Sequence, residues 1–117
     1  MTDVTIRRWQ DHTVWLSVNR ADPESLGTVA DELGAARTGA TVLVDLTDAE
    51  AVDGAFAAPL RDAVGAATQR GVHVIIAASD LQARLALVGV DLDHLAPMPQ
   101  SRRDAMAFLS TMIAQAS

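Results

Sequence analysis

The stretch TVLVDLTDAEAVDGAF, Thr41–Phe56, decides how this chain is read. It opens with a short, nearly continuous apolar run from Thr41 to Leu46. Its length and valine content predict a strand buried on both faces. A polar segment follows as far as Asp53. Phe56, Leu60, Ala63, Val64 and Ala67 then recur at helical spacing, and Gly71 closes the pattern. Val72 to Ala78 is a second apolar run of strand type. Strand, helix and strand in this order imply a parallel pair joined by a right-handed crossover.

On the N-terminal side of this unit, Val4, Ile6 and Arg8 alternate with Thr5, Arg7 and Trp9. Val14, Leu16 and Val18 alternate with Thr13, Trp15 and Ser17. With a turn at Asp11-His12, these two runs predict an antiparallel hairpin. Asp22 followed by Pro23 is the signature of a helix start, because proline at the first helical position lacks only an amide that would be unpaired anyway. Leu26, Val29, Ala30 and Leu33 supply that helix's apolar face, and Gly39 marks the exit from it. Beyond the central unit, Ser79 is a candidate cap for a short helix carrying Leu81, Leu85 and Val88. His94 to Met98 is a candidate edge strand, confined there by Pro97 and Pro99. Ser101, with Asp104 three residues on, predicts a capped last helix with Ala105, Phe108, Leu109, Met112 and Ile113 as its stripe. The expected architecture is one α/β domain over residues 1–117.

Composition narrows the function. Half of the residues are apolar and the formal net charge is −6, which disfavours nucleic acid and anionic membrane as partners. All nine basic residues are arginine, so Schiff-base chemistry and lysine-dependent phosphate sites have no residue to carry them. The absence of cysteine removes thiolate metal sites, disulfides and thiol nucleophiles. No leader-like segment and no membrane-length apolar run is present, so the expected location is the cytoplasm. Asp45, Asp48, Glu50 and Asp53 match no calcium-loop spacing and read as a solvated acidic loop, with no metal expected. His12, His73 and His94 are dispersed, and Arg102 and Arg103 read as solvent-facing. No nucleophile motif, P-loop or dinucleotide fingerprint occurs, so neither an enzyme nor a cofactor is expected.

The loops at the carboxyl ends of parallel strands are where an open α/β sheet gathers its ligands. Here these are Thr47 to Phe56 and the loop from Ser79. Pro59 places the helix start near Gly54 to Phe56, with Asp53 in the turn before it, as a cap, a polar anchor for a partner, or both. Ala55 to Pro59 is unusually apolar for a helix entrance. Phe56 either packs into the core or joins an exposed contact surface.

Thr41 to Phe56 also resembles the core signature of the STAS (anti-sigma factor antagonist-like) family. Val44-Asp45-Leu46-Thr47 is similar to the end of that family's buried strand, and Val52 to Phe56 sits where it places Asp-Ser-Ser-Gly. Arg70 to Ser79, Leu87 to Met98 and Ser101 to Ala105 resemble its later segments, in order. The resemblance implies a mixed sheet of about four to five strands with helices mainly on one face. It also implies a non-catalytic regulatory module that binds a protein, either an anti-sigma factor that is a serine kinase or another STAS protein. Partner contact then falls on Asp53, Gly54, Ala55, Phe56, Pro59 and Ser79. The family's phosphoacceptor serine falls on Ala55 and the residue before it on Gly54, so phosphate cannot be accepted there. Thr47 and Ser79 are the remaining hydroxyls for a relocated switch. Two alternative functions stand beside this one: a small-ligand, nucleotide or anion sensor using the helix N-termini at Gly54 and Ser79, and an oligomeric scaffold that pairs with a copy of itself.

Overall fold

A computed structural model of the chain describes residues 3–9 and 12–116, with side chains as far as residue 111. Four strands, β1 (Val4–Trp9), β2 (Thr13–Val18), β3 (Thr41–Asp45) and β4 (His73–Ala77), lie in the order β1-β2-β3-β4. β1 runs antiparallel to β2, with Val4 opposite Val18 and Trp9 opposite Thr13. The expected hairpin is therefore present, although Asp11 of its turn lies outside the described residues. β2, β3 and β4 are parallel, in a register that aligns Leu16, Val44 and Ile76. The sheet is mixed, as expected.

Helix α1 (Pro23–Ala35) makes the crossover from β2 to β3, and α2 (Gly54–Gln69) the crossover from β3 to β4. α3 (Leu81–Gly89) and α4 (Arg102–Ala116) follow. The period of two along each strand sorts side chains between two cores. Leu16, Val18, Val42, Val44, Val74 and Ile76 face α1, α2 and α3, meeting Val29, Leu33, Leu60, Val64 and Leu87. Trp15, Leu43, Ile75 and Ala77 point the other way and are covered by Ala105 and Leu109 of α4. Trp9 packs on Trp15, with ring centroids 5.4 Å apart at 64°, the edge-to-face arrangement that aromatic quadrupoles favour. Burial on both faces explains why β3 reads as a continuous apolar run.

Helix starts follow the local chemistry. Asp22 accepts the Ser25 amide at 2.8 Å, with Pro23 opening α1. Ser101 accepts the Asp104 amide at 3.0 Å, so its capping role is as expected. Two other expectations need correction. α3 is capped by Asp80, whose carboxylate accepts the Ala83 amide at 3.1 Å, and not by Ser79. Its buried side chains are Ala83 and Leu87, while Leu81, Leu85 and Val88 face outward. Both faces of α3 are apolar, so periodicity cannot choose between them. On α4, Ala105 and Leu109 point inward and Phe108 is exposed; the side chains of Met112 and Ile113 lie outside the described residues.

The segment read as a fifth strand is not one. A 3-10 turn occupies Leu92–His94, after which Pro97 and Pro99 run beside β4. Their carbonyls accept from Ile76 at 2.9 Å and Ala78 at 3.0 Å. Proline has no amide to return, so the pairing is one-sided and no ladder forms.

Glycine matters at Gly71, where φ is +85° and an added Cβ would stand 2.9 Å from the Thr38 methyl group. Gly54, by contrast, has open space around its Cα. Gly71→Ala is expected to cost about 1–2 kcal/mol, and Gly54→Ala to stay within about 0.5 kcal/mol of the parent or stabilise it. Urea unfolding of the two variants checks this; equal midpoints would contradict the account.

Candidate functional site

The carboxyl ends of β2, β3 and β4 carry the loops that the sequence points to. Asp45, the last residue of β3, is only 1% exposed, yet it is a carboxylate. Such a group is tolerated only when its oxygens are well bonded. The amide and hydroxyl of Thr47 both donate to Asp45 Oδ1, at 2.9 and 2.6 Å. Trp15 Nε1 donates to Oδ2 at 3.2 Å, and Arg102 Nε does so at 2.7 Å. The other end of the Arg102 guanidinium pairs with Asp48 through Nη2. Burial pushes the Asp45 carboxyl up, but the Thr47 bonds and Arg102 together outweigh it and hold it below its ordinary value of 3.8. Arg102 is raised in turn, by Asp45 first and then by Asp48.

This cluster corrects two readings. Asp45 and Asp48 do not belong to a loosely solvated acidic loop, and Arg102 is not a purely solvent-facing cation. The signal was present in Trp15, Asp45 and Arg102, but their pairing spans 30 and 57 residues. No local spacing rule reaches so far.

The β3–α2 loop is stitched down along its length. Leu46 donates to Ala77 O, Glu50 to Asn19 O, and Ala21 to Glu50 O. Ala51 has φ +66°, a left-handed conformation unusual for alanine. At the loop's end, Asp53 accepts the Phe56 amide at 3.0 Å and caps α2. Pro59 follows inside the helix, leaving the Ala55 carbonyl without the amide it would meet four residues on.

Of the expected contact residues, Asp53, Gly54, Ala55 and Pro59 are exposed together at the entrance of α2. Phe56 is the correction: at 3% exposure it is part of the core, because the third position of α2 faces the sheet. Ser79 is exposed and its hydroxyl lies 3.3 Å from the Thr47 carbonyl, to which it donates. It therefore borders the same loop. The Thr47 hydroxyl is half-buried and committed to Asp45. Arg84, in α3, closes this end of the sheet by donating to the carbonyls of Ala78 at 2.7 Å and Met98 at 3.0 Å.

A cleft of about 550 Å³ lies elsewhere, lined by Arg8, His12, Glu32 and Arg37 among others, with Arg8 paired to Glu32 at 2.8 Å. His12 precedes β2 and Arg37 follows α1, so the cleft is at the opposite end of the strands from the α2 entrance. Among the described residues, no helix is long and apolar enough to cross a membrane.

No protein-family model matches the chain, and no curated protein matches it. Among solved structures it is similar to a candidate anti-sigma factor antagonist from Thermotoga maritima. That likeness covers 89% of this chain and 92% of the other, with a TM-score of 0.69 and 14% identity. At such identity the likeness is one of fold, and the fold is the STAS-like α/β arrangement.

Because the folded carboxyl of Asp45 lies below 3.8, the folded form holds fewer protons there than the unfolded form. The resulting stability is complete above that ordinary value and is lost as pH falls through the lower folded one. Asp22, also lowered, first by the Ser25 amide, acts in the same direction. Asp45→Asn should therefore flatten the acid limb of stability without abolishing it. Urea midpoints from about pH 6 to about pH 2.5 measure this; an unchanged limb would refute the role given to Asp45.

Proposed function

We propose that this chain is a non-catalytic protein-binding module of the antagonist type, which engages its partner at the entrance of α2 and escapes phosphorylation there. The observation that carries this reading is the exposed surface of Gly54, Ala55, Ala58 and Pro59 around the Asp53 cap, with no hydroxyl in it. The similar fold of the Thermotoga maritima protein supports it. So does the resemblance that sets the phosphoacceptor position on Ala55.

Local chemistry favours a protein contact at this surface over a bound anion. A helix N-terminus attracts anions through unpaired amides and the helix dipole. In α2 and α3 that position is already occupied by an internal carboxylate, Asp53 and Asp80 respectively. A phosphate group would meet those charges. Adjacent exposed apolar side chains beside a capped helix end suit contact with another protein. A ligand-sensing reading would have to use the Arg8–Arg37 cleft instead.

In this reading the partner is an anti-sigma factor with serine-kinase activity, and the module works in the cytoplasm. Thr47 is a poor relocated acceptor, since a phosphate there would displace its hydrogen bond to Asp45. Ser79 is the more accessible hydroxyl.

The test begins with capture of the tagged chain's partner and proceeds to kinase assay. With the captured kinase and ATP, wild type should stay unmodified while Ala55→Ser gains one phosphate. Ala55→Glu should weaken binding by roughly tenfold or more, the order of about 1.4 kcal/mol. Equal binding by the parent and Ala55→Glu would remove the α2 entrance from the interface. Phosphorylation of the parent at Ser79 would show a relocated switch instead of an escaped one.

A further inference from the structure

We infer that the outer face of α3 is a second docking strip, one that takes a basic amphipathic helix of a partner protein. Leu81, Leu85 and Val88 recur at intervals of four and three and are 70%, 61% and 45% exposed. They share one side of the helix, opposite the buried Ala83 and Leu87. A helix apolar on both sides is normally buried on both. Scattered single apolar residues on a surface carry no message, but an aligned set of three does.

The charges around the strip identify its occupant. Asp80 stands exposed at its beginning, and Asp91 and Asp93 stand exposed just beyond its end. Arg84 is the only lysine or arginine between Ser79 and Leu95, and its guanidinium is spent on the carbonyls of Ala78 and Met98. The strip is thus apolar along its length and acidic at both ends. A second copy packed two-fold on this helix would set acids against acids, whichever way the helices ran. An anionic membrane surface is repelled in the same way. A helix with an apolar stripe and lysine or arginine at its ends meets both features at once, in the helix-on-face mode of recognition.

The strip begins next to Ser79, which borders the β3–α2 loop, but the inference does not depend on the reading given to Ala55. The test uses the full chain, labelled with nitrogen-15, and two synthetic amphipathic helices, one of leucine and lysine and one of leucine and glutamate. The leucine–lysine peptide should shift the amide signals of residues 80–93 saturably, and the leucine–glutamate peptide should not. Leu85→Glu should weaken that binding by roughly tenfold or more. The variant adds negative charge, so a merely electrostatic attraction would grow stronger in it. The exposed position predicts an unchanged fold, checked by circular dichroism; should Leu85→Glu fail to fold, Leu81→Gln carries the same comparison. The inference is overturned if shifts spread over the acidic surface or persist undiminished in the variant. It is also overturned if no shift occurs, if α3 signals move with protein concentration alone, or if they respond to neutral phosphatidylcholine vesicles and not to the peptide.

Discussion

Asp45 sits where three parts of the molecule must agree. Its carboxylate is at the end of a central strand, out of water, and takes bonds from Thr47, Trp15 and Arg102. Thr47 begins the β3–α2 loop, Trp15 belongs to β2, and Arg102 opens α4. A buried carboxylate without partners would be costly enough to be excluded, so each of these groups is held where the carboxylate needs it. The two cores are joined chemically at this point. The sheet face under α4 ends in the ion pair to Oδ2, and the loop that leads to α2 is held by Oδ1 of the same carboxylate.

The entrance of α2 inherits its rigidity from that arrangement. The loop is anchored at Thr47, tied to β4 through Leu46 and to the β2–α1 connection through Glu50, and finished by the Asp53 cap. An interface built on such a loop loses little freedom on binding. The same economy bears on chemistry. Two carboxylates of this region, Asp45 and Asp48, are engaged by Arg102. At the α2 entrance Gly54, Ala55, Ala58 and Pro59 are exposed beside Asp53, and on α3 Leu81, Leu85 and Val88 are exposed.

The parallel strand–helix–strand unit, the hairpin and the caps at Asp22, Asp53 and Ser101 were legible in the sequence, because each rests on a period or a spacing of a few residues. The failures share a cause. The outward face of α3 was unreadable because the buried side, Ala83 and Leu87, is apolar as well as the side of Leu81, Leu85 and Val88. The Pro97–Pro99 segment looked like a strand because it does lie against one, but proline can only accept. The Asp45–Arg102 pair joins residues far apart in the chain, and an arginine at a helix start is ordinarily a solvated one. Phe56 stood open between core and surface until its position in the first turn of α2 was fixed.

Asp45 serves the architecture by clasping α4 to the end of the sheet. A double-mutant cycle with Asp45→Asn and Arg102→Gln, read by urea unfolding at neutral pH, tests it most directly. A coupling of about 1–3 kcal/mol between the two positions is expected. Additive losses, with no coupling, would contradict it and leave the carboxylate available for some other role.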